Sequence, residues 1–233
     1  MAKPKTKNQP PAAGLTAPDP TTPNPPTDCR LCDRLAEFRD ANQEAYPDYF
    51  NGAAPSFGDK RAQLLIVGLA PGLHGANRTA RPFTGDYAGD LLYATLAKFG
   101  FSTGEYKADP NDGLKLKGAM ITNAVRCVPP ANKPIGAEIK TCRQFLINQL
   151  AALPKLKVIM CLGRISHDST VATLGLKPKD APFGHGAQHV VNQSGLQLFD
   201  SYHCSRYNTN TRRLTPEMFE SVFAAIRETI DQR

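Results

Sequence analysis

The sequence predicts a layered α/β domain built around a largely parallel sheet. Three observations carry this. Short apolar runs (Gln63 to Gly68, Ala119 to Val125 and Val158 to Gly163) read as strands buried on both faces. Segments with apolar residues at helical spacing alternate with them. Polar or glycine-bearing loops follow the runs, where folds of this class place their ligand sites.

Each element follows from its residues. Cys29 to about Asn42 is expected to be a short helix with Leu31, Leu35 and Phe38 along one side. Between the first two strands, Asp86 to Phe99 sets Leu91, Leu92, Thr95 and Phe99 at helical spacing. Glu138 to Leu153 carries Ile139, Cys142, Phe145, Leu146, Leu150 and Leu153 on one face, an amphipathic helix. After the third strand comes a helix from about Ser166 to Leu174. His189-Val-Val and Leu196-Gln-Leu-Phe flank Asn192-Gln-Ser-Gly195, a hairpin pattern. Thr215, Pro216 and Glu217 supply a cap, a first-turn proline and an acid for the last helix. Met218, Phe219, Val222, Phe223, Ile226 and Ile230 form its buried stripe.

The 233 residues include 28 Lys+Arg against 21 Asp+Glu, a formal charge of +7, and are 41% hydrophobic. That apolar content supports a core and excludes a wholly disordered chain. No apolar run approaches the ~20 residues that span a bilayer. The start, Met1-Ala2-Lys3-Pro4-Lys5, lacks an apolar stretch, so no secretory signal is expected and the cytoplasm is the expected compartment. Eight of the 20 prolines precede Cys29. Residues 1–28 therefore read as a disordered tail, and 29–233 as one domain. The tail is nearly neutral, so the basic surplus belongs to the domain and allows a polyanionic partner without establishing one.

Three loops are candidates for function. In the first, Gly68 to Asp86, glycines let the backbone approach a ligand, and Arg78 and Arg81 offer phosphate contacts. Asp86 opens a helix, where it can serve as an ordinary cap. The loop fits neither the Walker nor the dinucleotide pattern. The second, Thr122 to Pro134, presents Asn123, whose amide can read a base edge or merely satisfy a turn. The third, Ser201 to Leu214, is basic and aromatic; its His203 is either structural or a donor to a developing anion. Cys29 and Cys32 form a C-x-x-C, and Cys127 and Cys142 follow at a second strand and helix. Four such thiolates can close a tetrahedral or cluster site, whereas disulfides are disfavoured in a cytoplasmic chain. Cys161 reads as a small core hydrophobe.

These motifs together resemble the uracil-DNA glycosylase superfamily, most closely its family 5, B-type branch with iron–sulfur clusters. The resemblance rests on Gly-Leu-Ala-Pro-Gly (68–72), His-Gly-Ala-Asn-Arg-Thr-Ala-Arg-Pro-Phe-Thr-Gly-Asp (74–86), Val-Arg-Cys-Val-Pro-Pro-Ala-Asn-Lys-Pro (125–134), Leu-Gly-Arg-Ile-Ser-His-Asp (162–168) and Tyr-His-Cys-Ser-Arg-Tyr-Asn-Thr-Asn-Thr (202–211). It implies a three-layer α/β/α fold with a four-stranded, largely parallel sheet. It also implies a [4Fe–4S] cluster on Cys29, Cys32, Cys127 and Cys142. The activity implied is removal of uracil, and of other deaminated bases such as hypoxanthine, from DNA by a monomer that leaves an abasic site.

The resemblance also assigns roles. Phe83 stacks on the flipped base, and His203 and Asp86 are the catalytic pair: a donor to the base carbonyl and a group that positions water. Gly68, Leu69, Ala70 and Gly72 form the pocket wall with Asn123 and Asn132. Arg206 and Tyr207 enter the minor groove, and Ser205, Arg212 and Arg213 join Arg78 and Arg81 on the DNA. Leu69 stands where the family 4 pattern has a glutamate, which leaves Asp86 as the one carboxylate of the loop from Gly68 to Asp86. Ala80 and Arg212 stand where glycine is more frequent, and Cys204 where proline or an aliphatic residue is usual. Two other readings remain: a non-catalytic iron–sulfur nucleic-acid binder, and a zinc-stapled nucleotide-binding domain.

Overall fold

A computed structural model describes residues 18–191 and 195–232. In chain order its elements are α1 (Asp33–Ala45), β1 (Phe57–Gly58), β2 (Leu64–Gly68), α2 (Ala76–Thr79), α3 (Tyr87–Lys98), β3 (Ser102–Thr103), β4 (Lys115–Leu116) and β5 (Ala119–Asn123). There follow α4 (Gly136–Ala151), β6 (Val158–Leu162), α5 (Arg164–Thr173), β7 (Gln188–Val190), β8 (Gln197–Ser201), α6 (Arg206–Asn210) and α7 (Pro216–Asp231).

The main sheet runs β1-β5-β2-β6-β8-β7. Its inner four strands are mutually parallel, as the sequence predicts, and the two edge strands pair antiparallel. Strand β2 lies between β5 and β6, with Ile66 opposite Ile121 and Met160. Alternate residues pack opposite faces. Leu64 and Ile66 meet α3 and α7 through Leu92, Leu96, Phe219 and Phe223. Leu65 and Val67 meet α4 and α5 through Leu146 and Val171. This makes three layers, and it explains why the strands carry no polar alternation. No helix among the described residues is long and apolar enough to cross a membrane.

Two expectations need correction. The first helix begins at Asp33, so the C-x-x-C precedes it and Leu31 stands 55% exposed rather than on a buried side. The supposed tail also does not run to 28. Residues 18–28 lie on the domain: Asn24 Oδ1 accepts from the Ser56 amide at 2.8 Å, Thr27 C=O accepts from the Ala53 amide, and Pro25 is buried. Residues 1–17 lie outside the described residues. The two-residue edge strand β1 has too few positions for a periodic signal. The expected hairpin is formed by β7 and β8, and its turn residues 192–194 lie outside the described residues.

Candidate active site

The three loops converge on a cleft of about 390 Å³ at the carboxyl ends of β2 and β5. Gly68 and Asn123 are partners across these two strands, which puts Asn123 at the cleft floor. A Cβ on Gly68 would run into Asn123 Oδ1 and come 2.7 Å from the Phe83 ring, so only glycine lets both side chains close over the strand end. The Asn123 amide is buried and has no partner among the described residues. Leu69, Ala70 and Gly72 line one wall, and the amides of Ala70 and Gly72 donate to no group among the described residues.

Phe83 adopts a left-handed backbone, φ +55°, which its surroundings enforce. The Tyr106 hydroxyl donates to its carbonyl at 3.1 Å, and the Tyr93 hydroxyl donates to Pro82 C=O at 2.7 Å. Arg81 completes this brace. Both its terminal nitrogens donate to Asp112 at 2.7 Å, and its guanidinium lies 5.4–5.6 Å from the rings of Phe57, Tyr93 and Tyr106. Arg81 is buried, so the expectation that it contacts DNA phosphates is corrected: it holds the Phe83 loop. The Asp112 carboxyl is held well below the carboxylate range, first by hydrogen bonding from Arg81.

Asp86 does two things at once. It is the N-cap of α3, with Oδ1 accepting from the Gly89 amide at 3.2 Å. Its Oδ2 points the other way, toward Gly72 and Gly75 at the cleft; a Cβ on Gly75 would come 2.5 Å from it. The cap and water-positioning readings are therefore compatible, one oxygen each. Burial raises its pKa above the ordinary aspartate value, outweighing the backbone hydrogen bonds that lower it.

His203 lines the same cleft from the loop after β8, its ring 5.9 Å from the Phe83 ring at 29°. Asn208 pins the loop by donating to His203 C=O at 2.8 Å. Burial pushes the imidazole pKa down to about 4, so it is neutral near pH 7 and keeps one N–H donor. The ring has no hydrogen-bond partner among the described residues.

Asn132, on the turn after β5, and Ser205 and Arg206, at the start of α6, line the cleft mouth. Ser205 caps α6. Tyr87 also stands there, with the Arg206 guanidinium 5.3 Å from its ring; the sequence offered only its place beside Asp86 as a signal. Tyr207 is 71% exposed, and Arg78, Arg212 and Arg213 are exposed outside the cleft. Arg213 lies over Tyr202 beside a second cleft that shares Leu69 and His203 as its wall. Ala80 and Arg212 both have left-handed backbones, φ +60° and +55°, which accounts physically for glycine being the more frequent residue there. Cys204 is wholly buried and donates to Ala88 C=O, so its departure from the pattern concerns the core and not the DNA face.

Cys29, Cys32, Cys127 and Cys142 line one common cavity between α1, α4 and the strand β5 exit. Among the described residues no group of three or more His, Cys, Asp or Glu side chains is arranged to hold a metal ion. Burial pushes the thiols of Cys127 and Cys142 up to about 11 and about 12. The Arg126 amide donates to Cys142 Sγ at 3.3 Å, and Arg39 Nη1 lies 3.9 Å from Cys127 Sγ. Cys161 is buried in β6, as expected of a core residue.

A largely parallel sheet with an aromatic ring and an unpaired side-chain amide at its carboxyl edge is the arrangement of an α/β protein with a ligand cleft at its strand ends. The profile described as Uracil DNA glycosylase superfamily matches residues 55–227. The type-5 uracil-DNA glycosylase of Thermus thermophilus is 44% identical over 201 residues, covering 84% of this chain and 91% of that protein. The type-5 enzyme of Pyrobaculum aerophilum is 36% identical, covering 83% and 85%, and the type-4 enzyme of Sulfurisphaera tokodaii is 29% identical, covering 83% and 78%. The chain belongs to the uracil DNA glycosylase superfamily.

Proposed function

We infer that this chain hydrolyses the N-glycosidic bond between uracil and deoxyribose in DNA. Water supplies the hydroxyl that ends on C1′, uracil leaves as its anion and is then protonated, and an abasic site remains. The observation that carries this reading is the meeting of Asp86 and His203 in one cleft with Phe83 and Asn123.

The division of labour follows from the chemistry. An extruded base lies against Phe83, with Asn123 at its polar edge. Negative charge grows on the base carbonyls as the bond breaks, and the neutral His203 donates to it. The amides of Ala70 and Gly72 offer two further donors on the same wall. Oδ2 of Asp86 orients water, and the negative carboxylate also favours the positive charge developing on the sugar. Binding alone would need no such carboxylate, which disfavours the non-catalytic alternative.

The range extends to other deaminated bases such as hypoxanthine, because a cleft of about 390 Å³ has room for a purine and the Asn123 amide carries both a donor and an acceptor. Exposed Arg206 at the cleft mouth, with exposed Tyr207, Arg212 and Arg213 outside it, supports contact with the DNA backbone and the vacated stack. A cytoplasmic monomer is the form assigned to this chain.

Cys29, Cys32, Cys127 and Cys142 are assigned a [4Fe–4S] cluster of structural role. Support comes from the all-sulfur donor set, from the shared cavity, and from the N–H groups aimed at Cys142 and Cys127 sulfur. When bound it supplies a cross-link between the segment before α1, the β5 exit and α4.

The test is an oligonucleotide assay. Release of free uracil with an alkali-labile site is expected, and absence of release from single- and double-stranded substrates overturns the reading. Parallel oligonucleotides carrying hypoxanthine test the range.

A further inference from the structure

Three arginines are buried among the described residues, and they differ in one respect. Arg81 has a carboxylate, Asp112. Arg39 and Arg126, 3% and 1% exposed, are in no ion pair among the described residues. The nearby acids are committed elsewhere, Glu138 to Arg34 and Asp40 to Arg30. Burying a cation without a counter-charge is expensive, and two together are more so.

Neutral acceptors only partly satisfy them. Arg39 Nη1 donates to Cys29 C=O at 2.8 Å, while its Nη2 is buried without a partner. Arg126 donates to Pro23 C=O, Asn24 Oδ1 and Ala54 C=O, while its Nε is buried without one. Both side chains border the four-cysteine cavity: Arg126 lines it, and Arg39 reaches Cys127 Sγ.

We propose that Arg39 and Arg126 are the buried counter-charges of the group that the four cysteines hold, and that they set how firmly it is retained. The proposal rests on the cluster reading above. Loading a dicationic cluster onto four cysteines releases four protons and leaves two negative charges in the cavity, which two guanidiniums balance. The basic side chains are thus part of the cluster site and not of the DNA-binding surface.

The full chain, purified without oxygen, is assayed for iron per chain and for decay of its visible absorbance under excess EDTA. Arg39→Gln is expected to lose iron ~10-fold faster than the parent, the scale on which outer partners of a metal site act. Arg39→Lys, which keeps the charge and loses the fork, is expected to stay close to the parent. Equal retention in Arg39→Gln and the parent overturns the proposal. So does equal loss in the glutamine and lysine variants, because packing would then be the cause. The same pair at Arg126 gives the answer should Arg39→Gln not fold. A parent that folds and excises uracil but contains no iron overturns the cluster reading, and the counter-charge assignment with it.

Discussion

His167 on α5 and Asp200 on β8 form a buried pair in which the imidazole offers a proton at both nitrogens. Nδ1 lies 2.8 Å from Asp200 Oδ1, and Nε2 lies 2.9 Å from Ala181 C=O. A carbonyl only accepts, so Nε2 donates to Ala181, and with Asp200 ionised Nδ1 donates as well, which makes the ring an imidazolium. Burial alone would lower its pKa, but the Asp200 hydrogen bond and charge raise it above 6.5 on balance. Burial holds the Asp200 carboxyl up, against the pull of His167. The raised His167 value favours the ion pair, in which the proton shared with Asp200 sits on Nδ1. The pair fastens α5 to the strand that delivers His203.

Because the folded-state pKa of His167 is raised, its contribution is complete below the unfolded value and is lost as pH climbs through the folded one. Melting temperature is therefore expected to fall as pH rises from 6.5, and His167→Gln to lower stability at pH 6 while flattening that fall. His189, with Nε2 3.9 Å from Asp200 Oδ2, and Asp168, paired with Arg164, face the same region and are kept unchanged. Identical alkaline slopes in parent and variant would reject the imidazolium.

For Asp86, substitution by Asn keeps a capping oxygen and removes the charge. Asp86→Asn is expected to cut single-turnover excision by ~10²–10⁴-fold, the range for a positioned acid–base group, with little change in melting temperature or DNA affinity. The parent rate should fall with acid at a pH above 3.8, because burial raises this carboxyl and the ionised form is lost as pH falls through the raised value. Loss of stability with intact excision would show that only the cap matters.

His203→Ala is expected to lower excision by ~10²–10³-fold, as for removal of one oxyanion donor, while affinity for an uncleavable analogue falls far less. Its pKa of about 4 means that protonation of this ring leaves no inflection near neutrality. Parental rates on every base would make the histidine structural.

The strands and the large helices were legible because burial on both faces writes continuous apolar runs, and burial on one face writes a helical stripe. Asp86 and His203 were legible only through their surrounding motif, since a lone acid or histidine has too many other uses. Arg81 was misread because its partner, Asp112, lies 31 residues away in an irregular segment, and no local pattern announces a long-range ion pair. Arg39 is a charged residue on a helix, the usual mark of a solvated face, yet that face lies against the cysteines. The end of the tail was misplaced for a related reason. Composition reports what a segment can bury by itself, not which backbone acceptors a buried arginine requires of it.

The Arg81–Asp112 pair gives a clean separation of structure from DNA contact. Arg81→Ala leaves a buried carboxylate without its partner, which costs about 3–5 kcal/mol. Thermal stability is expected to fall sharply, while the salt dependence of DNA binding by the folded fraction stays parental. Arg213→Ala, at an exposed position, is expected to do the reverse: near-parental melting and a shallower salt slope. A reduced salt slope in Arg81→Ala at full stability would return Arg81 to the DNA surface.

Two truncations test where the dispensable tail ends. Residues 1–17 combine Lys, Pro, Ala, Gln and Thr with little to bury, so a chain beginning at Pro18 is expected to match the parent in melting temperature and turnover. A chain beginning at Cys29 removes Pro23 C=O and Asn24 Oδ1, acceptors 3.2 and 3.1 Å from the Arg126 guanidinium. It also strips the Ser56 and Ala53 amides of their partners and uncovers the cysteine cavity at Pro25. Each buried donor left unsatisfied costs about 1–3 kcal/mol, so this chain is expected to melt well below the parent and to retain iron poorly. Its failure should appear in stability before turnover, because none of these residues reaches the cleft. Equal melting of the two truncated chains would mean that Arg126 finds its acceptors in water, and that residues 18–28 only rest on the domain.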